Sequence, residues 1–164
     1  MGKEENGVHV DIRPDVLSVE EITQTVACDA AGAITSFVGV TRDHFEGKRV
    51  VRLEYEAYDA MARRTLAQIG DEMVDKFGVL KVALVHRTGV VPVGEASVVI
   101  LVSSVHRQPA LRAVEYGIEE LKARTAIWKR EVYEDGSVWK ENMEFERERK
   151  VHGCCRGEGK QEGV

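Results

Sequence analysis

His106 and Arg107 stand just ahead of Pro109, a spacing that sets an imidazole and a guanidinium at the start of a helix. Unpaired backbone N–H groups and the helix dipole already favour an anion there. The same stretch, residues 103–131, carries Lys122 at the far end of that helix and Lys129 and Arg130 on the strand expected to follow. In a chain of formal charge −5, so much cation in one supersecondary unit points to an anionic ligand, a phosphate or a carboxylate. Lys122 follows Leu121 at the border of the expected buried stripe, where its stem can pack while its ammonium sits in a cleft. Were Lys122 and Lys129 to meet beside Arg107, repulsion and desolvation would favour a neutral amine, which is a base or a nucleophile.

Each of these residues also has a plain structural reading. Lys122 and Arg124 complement the dipole at a helix end. Lys129 and Arg130 can protect an exposed strand edge. His106 can be a core histidine bonded to backbone, His86 and Arg87 repeat the same dipeptide at another strand end, and Arg42 in a polar loop is by default a solvated charge. Trp128 and Trp139 are expected to face each other across a hairpin as packing partners. Spacing alone therefore yields an anion-binding cleft and no reaction.

The elements that must position these groups alternate. A short strand at 9–12 precedes a helix opened by the capping box Ser18 to Glu21, with Val19, Ile22, Val26 and Ala30 on one face and Gly32 as its stop. Strands are expected at 33–40 and 50–58, separated by the polar loop TRDHFEGKR. A helix over 60–77 carries Leu66, Ile69, Met73 and Phe77 on its inner stripe and stops at Gly78. Two strands, 80–87 and 96–104, are joined by TGVVPVGE, read as a turn or small hairpin. Pro109 suits the first turn of the next helix, on which Leu111, Val114, Ile118 and Leu121 keep helical spacing. A hairpin of 127–133 and 138–142 turns at Asp135-Gly136. The fold class is α+β, a mainly antiparallel sheet with packed helices, hammerhead-like, plus the C-terminal β-hairpin.

The 164 residues, 43% apolar, fit one domain. Residues 8–143 are read as that domain, with disordered ends at 1–7 and 144–164, where charges alternate and apolar groups are few. No apolar run is long enough to span a bilayer and the N-terminus has no signal-peptide core, so a cytosolic location is expected. The three cysteines, Cys28 apart from Cys154 and Cys155, form no disulfide framework; with His152 the last two are weak metal ligands, and no metal is expected. Without a basic stripe or interleaved aromatics the chain is a poor nucleic-acid binder.

Three separated stretches, GAITSFVGVTRDHFEGKRVVRLEYEAY, HRTGVVPVGEASVVILVSSVHR and LKARTAIWKREVYEDGSVWKEN, resemble the catalytic (large) subunit of molybdopterin synthase over about residues 8–142, with wording nearer the eukaryotic branch. The resemblance implies a cytoplasmic sulfurtransferase of molybdenum cofactor biosynthesis that needs no cofactor. It would add the two dithiolene sulfurs to cyclic pyranopterin monophosphate. The sulfur would arrive as a thiocarboxylate on the C-terminal glycine of a small ubiquitin-like subunit, which explains why no cysteine nucleophile is needed. By the same resemblance Lys122 and Lys129 are catalytic, and Val40, Thr41, Arg42, His106, Arg107, Lys122, Lys129, Arg130 and Glu131 bind substrate. It further implies a homodimer of large subunits with a small subunit at each end, a heterotetramer. Two departures stand out: Val40 carries no charge where many bacterial relatives have lysine, and the tail after Met143 has no counterpart. The rival readings are a module that only binds an acidic ligand or a ubiquitin-like tail, and a phosphate-ester hydrolase, which would need a carboxylate cluster for metal ions.

Overall fold

The computed structural model describes residues 7–142. The ends expected to be disordered, with His152, Cys154 and Cys155, lie outside the described residues, Gly7 excepted. The chain runs β1 (Val8–Arg13), α1 (Val19–Val26), β2 (Ala33–Val40), β3 (His44–Phe45), β4 (Lys48–Ala57), α2 (Asp59–Phe77), β5 (Lys81–Arg87), β6 (Gly89–Pro92), β7 (Ala96–Ser104), α3 (Arg107–Arg124), β8 (Ile127–Tyr133) and β9 (Val138–Asn142). The class is α+β as expected, but the strands form two sheets rather than one. One has the order β1-β5-β7-β2; the other has the order β3-β4-β8-β9, with β6 paired to β4. All pairs are antiparallel except β1 with β5.

The first sheet is covered on both sides, which is why β5 and β7 read as nearly unbroken apolar runs. On one face Leu17, Ile22 and Val26 from the α1 side pack on Ala83, Val85, Val99 and Leu101. On the other, Leu66, Ile69 and Met73 of α2 and Ala113, Val114 and Leu121 of α3 meet Val82, Leu84, Ile100 and Val102. Leu66, Ile69 and Met73 are fully buried, each contributing roughly 1.5–3 kcal/mol of apolar burial. Gly117 lets the two helices close, since a Cβ there would stand 2.9 Å from the Met73 thioether sulfur.

Several local expectations are met. Ser18 accepts the Glu21 N–H at 3.2 Å, although the Glu21 carboxylate pairs with Arg13 instead of closing the capping box. Gly78 caps α2 in the left-handed region at φ 63°. Others are corrected. α1 stops at Val26, short of Ala30, because Thr23 and Thr25 turn their hydroxyls onto the Val19 and Ile22 carbonyls and Ala27 is extended. The loop at 41–49 contains β3, and TGVVPVGE contains β6, whose Val91 is buried opposite Leu53. Leu111 is exposed, while Ala110 and Ala113 take the buried stripe. The hairpin register sets Trp128 opposite Asn142 and Trp139 opposite Glu131, so the two tryptophans do not face each other.

Candidate active site

A cavity of about 390 Å³ opens where the two sheets and the end of α3 meet. Its walls are Phe37 to Val40 of β2, Ser97 and Val98 of β7, Val50, Leu53 and Tyr55 of β4, Ile118, Leu121 and Lys122 of α3, Lys129 and Glu131 of β8, and His86, Arg42 and Phe45. Three cations stand against one carboxylate. Such a hollow, with apolar and neutral polar walls and a net positive charge, suits an anion joined to a flat or extended body.

Arg42 enters because β2 has an irregularity between Gly39 and Val40 that shifts its pairing with β7; bulges of this kind re-aim the residues that follow. Its guanidinium lies 4.7 Å from the centre of the Phe45 ring on the β3–β4 hairpin, a cation–π contact that steadies the charge. Lys122 and Lys129 come together because α3 ends at Arg124 and β8 begins at Ile127, with only the buried Thr125 and Ala126 between. Backbone bonds tie that joint on three sides: Thr125 N–H donates to the Leu121 carbonyl at 3.1 Å, Ile127 N–H to the Thr125 carbonyl at 2.8 Å and Tyr58 N–H to the Ala126 carbonyl at 3.1 Å, while the buried Thr125 hydroxyl has no hydrogen-bond partner.

Lys129 Nζ pairs with the Glu131 carboxylate, whose other oxygen accepts the Tyr133 hydroxyl. Burial, then this hydrogen bond, raises the Tyr133 phenol to about 12, so it remains a donor. The floor is neutral. Tyr55 donates to Ser97 Oγ and Ser97 to the Gly39 carbonyl, both at 3.3 Å. Beside them His86 is edge-on to Tyr55, with ring centres 4.9 Å apart. Its Nδ1 lies 2.8 Å from the Arg87 carbonyl, and burial brings its pKa down to about 4.

Of the residues expected to bind substrate, Val40, Arg42, Lys122, Lys129 and Glu131 line this cavity. Thr41 does not: it is buried, donates its hydroxyl to the Val91 carbonyl at 3.3 Å and its N–H to Glu95 at 3.1 Å, and so anchors the loop. Arg130 alternates with Lys129 along β8 and faces the other way, paired with Glu54, which also holds Arg52 at 2.7 Å. His106 and Arg107 line a separate depression with Gly32, Val105 and Gln108. The cause is helical length: fifteen residues of α3 separate Arg107 from Lys122, about 22 Å along the axis. The expectation that the two lysines meet beside Arg107 therefore fails within one chain. Phe37, Phe45, Tyr55 and Ser97 are among the wall residues that the spacing argument did not single out, and His86, which it read only as a dipeptide at a strand end, also lines the cavity. Among the described residues no group of three or more His, Cys, Asp or Glu can hold a metal ion, and no helix is long and apolar enough to cross a membrane.

Comparison with known proteins bears on what this cavity does. Residues 12–124 match the family model described as MoaE protein. The human molybdopterin synthase catalytic subunit is 48% identical over 135 residues, which are 82% of this chain and 72% of that protein. A crystal structure of molybdopterin synthase from Staphylococcus aureus superposes with a TM-score of 0.76 at 37% identity, covering 80% of this chain and 95% of the other. A complex of subunits 1 and 2 of molybdopterin-converting factor from Helicobacter pylori shares the fold, with a TM-score of 0.63 at 24% identity over 78% of this chain and 86% of that one.

Proposed function

Since the chain belongs to the MoaE family of molybdopterin synthase catalytic subunits, which act in molybdenum cofactor biosynthesis, we propose that it transfers sulfur to cyclic pyranopterin monophosphate. The donor is the C-terminal thiocarboxylate of a small ubiquitin-like partner. The observation that carries this reading is the convergence of Arg42 with Lys122 and Lys129, from two separate stretches of chain, on one cavity. Both reactants are anions. Without fixed positive charge their approach in a partly dehydrated pocket would cost several kcal/mol.

In this reading Arg42 and Lys129 hold the phosphate and the thiocarboxylate oxygen, and the neutral floor of Tyr55, His86 and Ser97 meets the heterocycle. Sulfur attacks a ring carbon. Lys122, at the cavity edge, protonates the oxygen that leaves and then helps water cleave the acyl link, releasing the partner's glycine carboxylate and leaving sulfur on the pterin. Lys129 supports the charge that develops on the acyl oxygen. His106 and Arg107 form a second anion seat at the start of α3, and their entry into the same reaction requires a neighbouring copy, as in a homodimer carrying two small subunits. The cytosol, where thiols stay reduced, is the compartment this chemistry fits.

The test is reconstitution. The chain is mixed with a thiocarboxylated small subunit and cyclic pyranopterin monophosphate, and dithiolene product is sought by mass and, after oxidation, by fluorescence. Product that disappears with Lys122→Ala supports the reading; no product from the intact chain and a competent partner refutes it. A module that only binds its ligand would form none.

A further inference from the structure

One cluster of charged groups lies outside the cavity and is not used by the chemistry above. Glu72 of α2 accepts two guanidinium N–H bonds from Arg124 of α3, at 2.6 and 2.9 Å, and the Tyr116 hydroxyl at 2.7 Å. Glu120 adds a bond to Arg124 at 3.1 Å, and the Lys76 ammonium stands 4.5 Å from the Tyr116 ring centre. The pull of Arg124, then of Tyr116, holds the Glu72 carboxyl below its usual range, in keeping with a fork-to-carboxylate pair.

Tyr116, Glu120 and Arg124 recur at i, i+4 and i+8, so they form one ridge of α3, turned to α2. Ile118 and Lys122, also four apart, form another ridge, and both line the cavity. At about 100° per residue Lys122 and Arg124 point to nearly opposite sides of the helix. A clamp on the Arg124 side therefore adds to the buried Leu121 in setting the rotation of the last turn about its axis, and with it the place of the Lys122 ammonium. Lys122 itself is exposed and is packed too little to fix its own position. The clamp is also partly exposed, with Glu72 at 40% and Arg124 at 25% of their side-chain surface, so its contribution to stability is small.

We propose that Glu72 and Arg124 are positioning residues for sulfur transfer, holding the end of α3 so that Lys122 meets the reacting atoms. This rests on the function proposed above. The clamp acts through Lys122 and touches no reactant.

The experiment measures turnover and the 13Cε signal of Lys122 in lysine-labelled protein, assigned with Lys122→Arg, for wild type, Glu72→Ala, Arg124→Ala and Arg124→Lys. Expected is a fall in kcat of about tenfold for the alanine variants with KM within about twofold. The Lys122 signal should shift in both, the melting temperature should change by only a few degrees, and Arg124→Lys should recover part of kcat because it keeps the charge without the fork. An unmoved Lys122 signal overturns the proposal, as does kcat within about twofold of wild type, or a loss of turnover no larger than the loss of folded protein. If wild type itself forms no product, the sulfur-transfer reading falls, and the Lys122 signal alone then decides whether the clamp positions that lysine.

Discussion

Lys129 Nζ lies 2.9 Å from the carboxylate of Glu131, two residues along the same strand, and Tyr133, two further on, donates its hydroxyl to the other carboxylate oxygen at 2.7 Å. Alternation along β8 sets all three on one face. Glu131 is only 5% exposed, so it steadies the ammonium without meeting solvent. Glu131→Gln keeps an acceptor for Tyr133 but removes the charge that tethers Lys129, and turnover should fall about tenfold. Glu131→Ala also strands the Tyr133 hydroxyl and should cost about 1–3 kcal/mol of stability by urea unfolding. Full turnover in both variants would refute this role.

The length of α3 separates Arg107 from Lys122, which makes the proposed homodimer testable without a structure of it. Arg107→Ala and Lys122→Ala should each lose most turnover as pure proteins. Unfolded together and refolded as mixed dimers, they should recover roughly a quarter of wild-type activity, since half the dimers then hold one intact composite site of two. Absence of recovery would place both lesions in the same functional unit.

His86 gives the fold a pH dependence of calculable sign. Burial brings its pKa from 6.5 to about 4, so the unfolded chain takes up this proton at a higher pH than the folded one. Its contribution is complete above about pH 6.5 and is lost as pH falls toward 4, by of order 3 kcal/mol. Urea midpoints measured from pH 4 to 8 should therefore slope less in His86→Phe than in wild type. Equal slopes would show that this imidazole is protonated as readily in the fold as outside it.

The β3–β4 hairpin turns through Glu46 and Gly47, both with positive φ, at 48° and 77°. A two-residue turn of this kind favours Asn-Gly, and a glutamate in the left-handed region is strained. Glu46→Asn should stabilise the protein by about 0.5–1 kcal/mol and raise the melting temperature by a few degrees. The substitution keeps the backbone of the turn and so the place of Phe45 against Arg42, and turnover should stay unchanged.

Much of the architecture was legible where one residue type has one local use: Ser18 as a helix cap, Gly78 as a left-handed stop, Asp135-Gly136 as a turn. What was not legible depended on distant pairing. β6 has too few residues to announce itself and exists because Leu53 and Val91 share a buried face. Trp128 and Trp139 are not opposed because the turn, closed by Tyr133 N–H donating to the Ser137 carbonyl, lies much nearer Trp139 than Trp128, a mismatch that the Asp135-Gly136 turn position already carried in the sequence. In the site, Lys122 and Lys129 were singled out by their spacing, Arg42 and Glu131 through the family resemblance, and the fold gathers all four. The opposite facing of Arg130 follows from simple strand alternation with Lys129 and was available in the sequence. His86 and Tyr55 were hidden for a different reason: on half-buried strands a polar residue that floors a cavity looks the same as one bonded to backbone.

The joint at Thr125 and Ala126 leaves no slack. Adding or removing a single residue there would slip β8 by one place, and a one-residue slip exchanges the faces of a strand. Trp128 and Arg130 would then point into the hollow while Lys129 and Glu131 looked out to solvent. This short corner is thus a site of intolerance to indels, where even an insertion that leaves every existing side chain intact would still erase the chemistry.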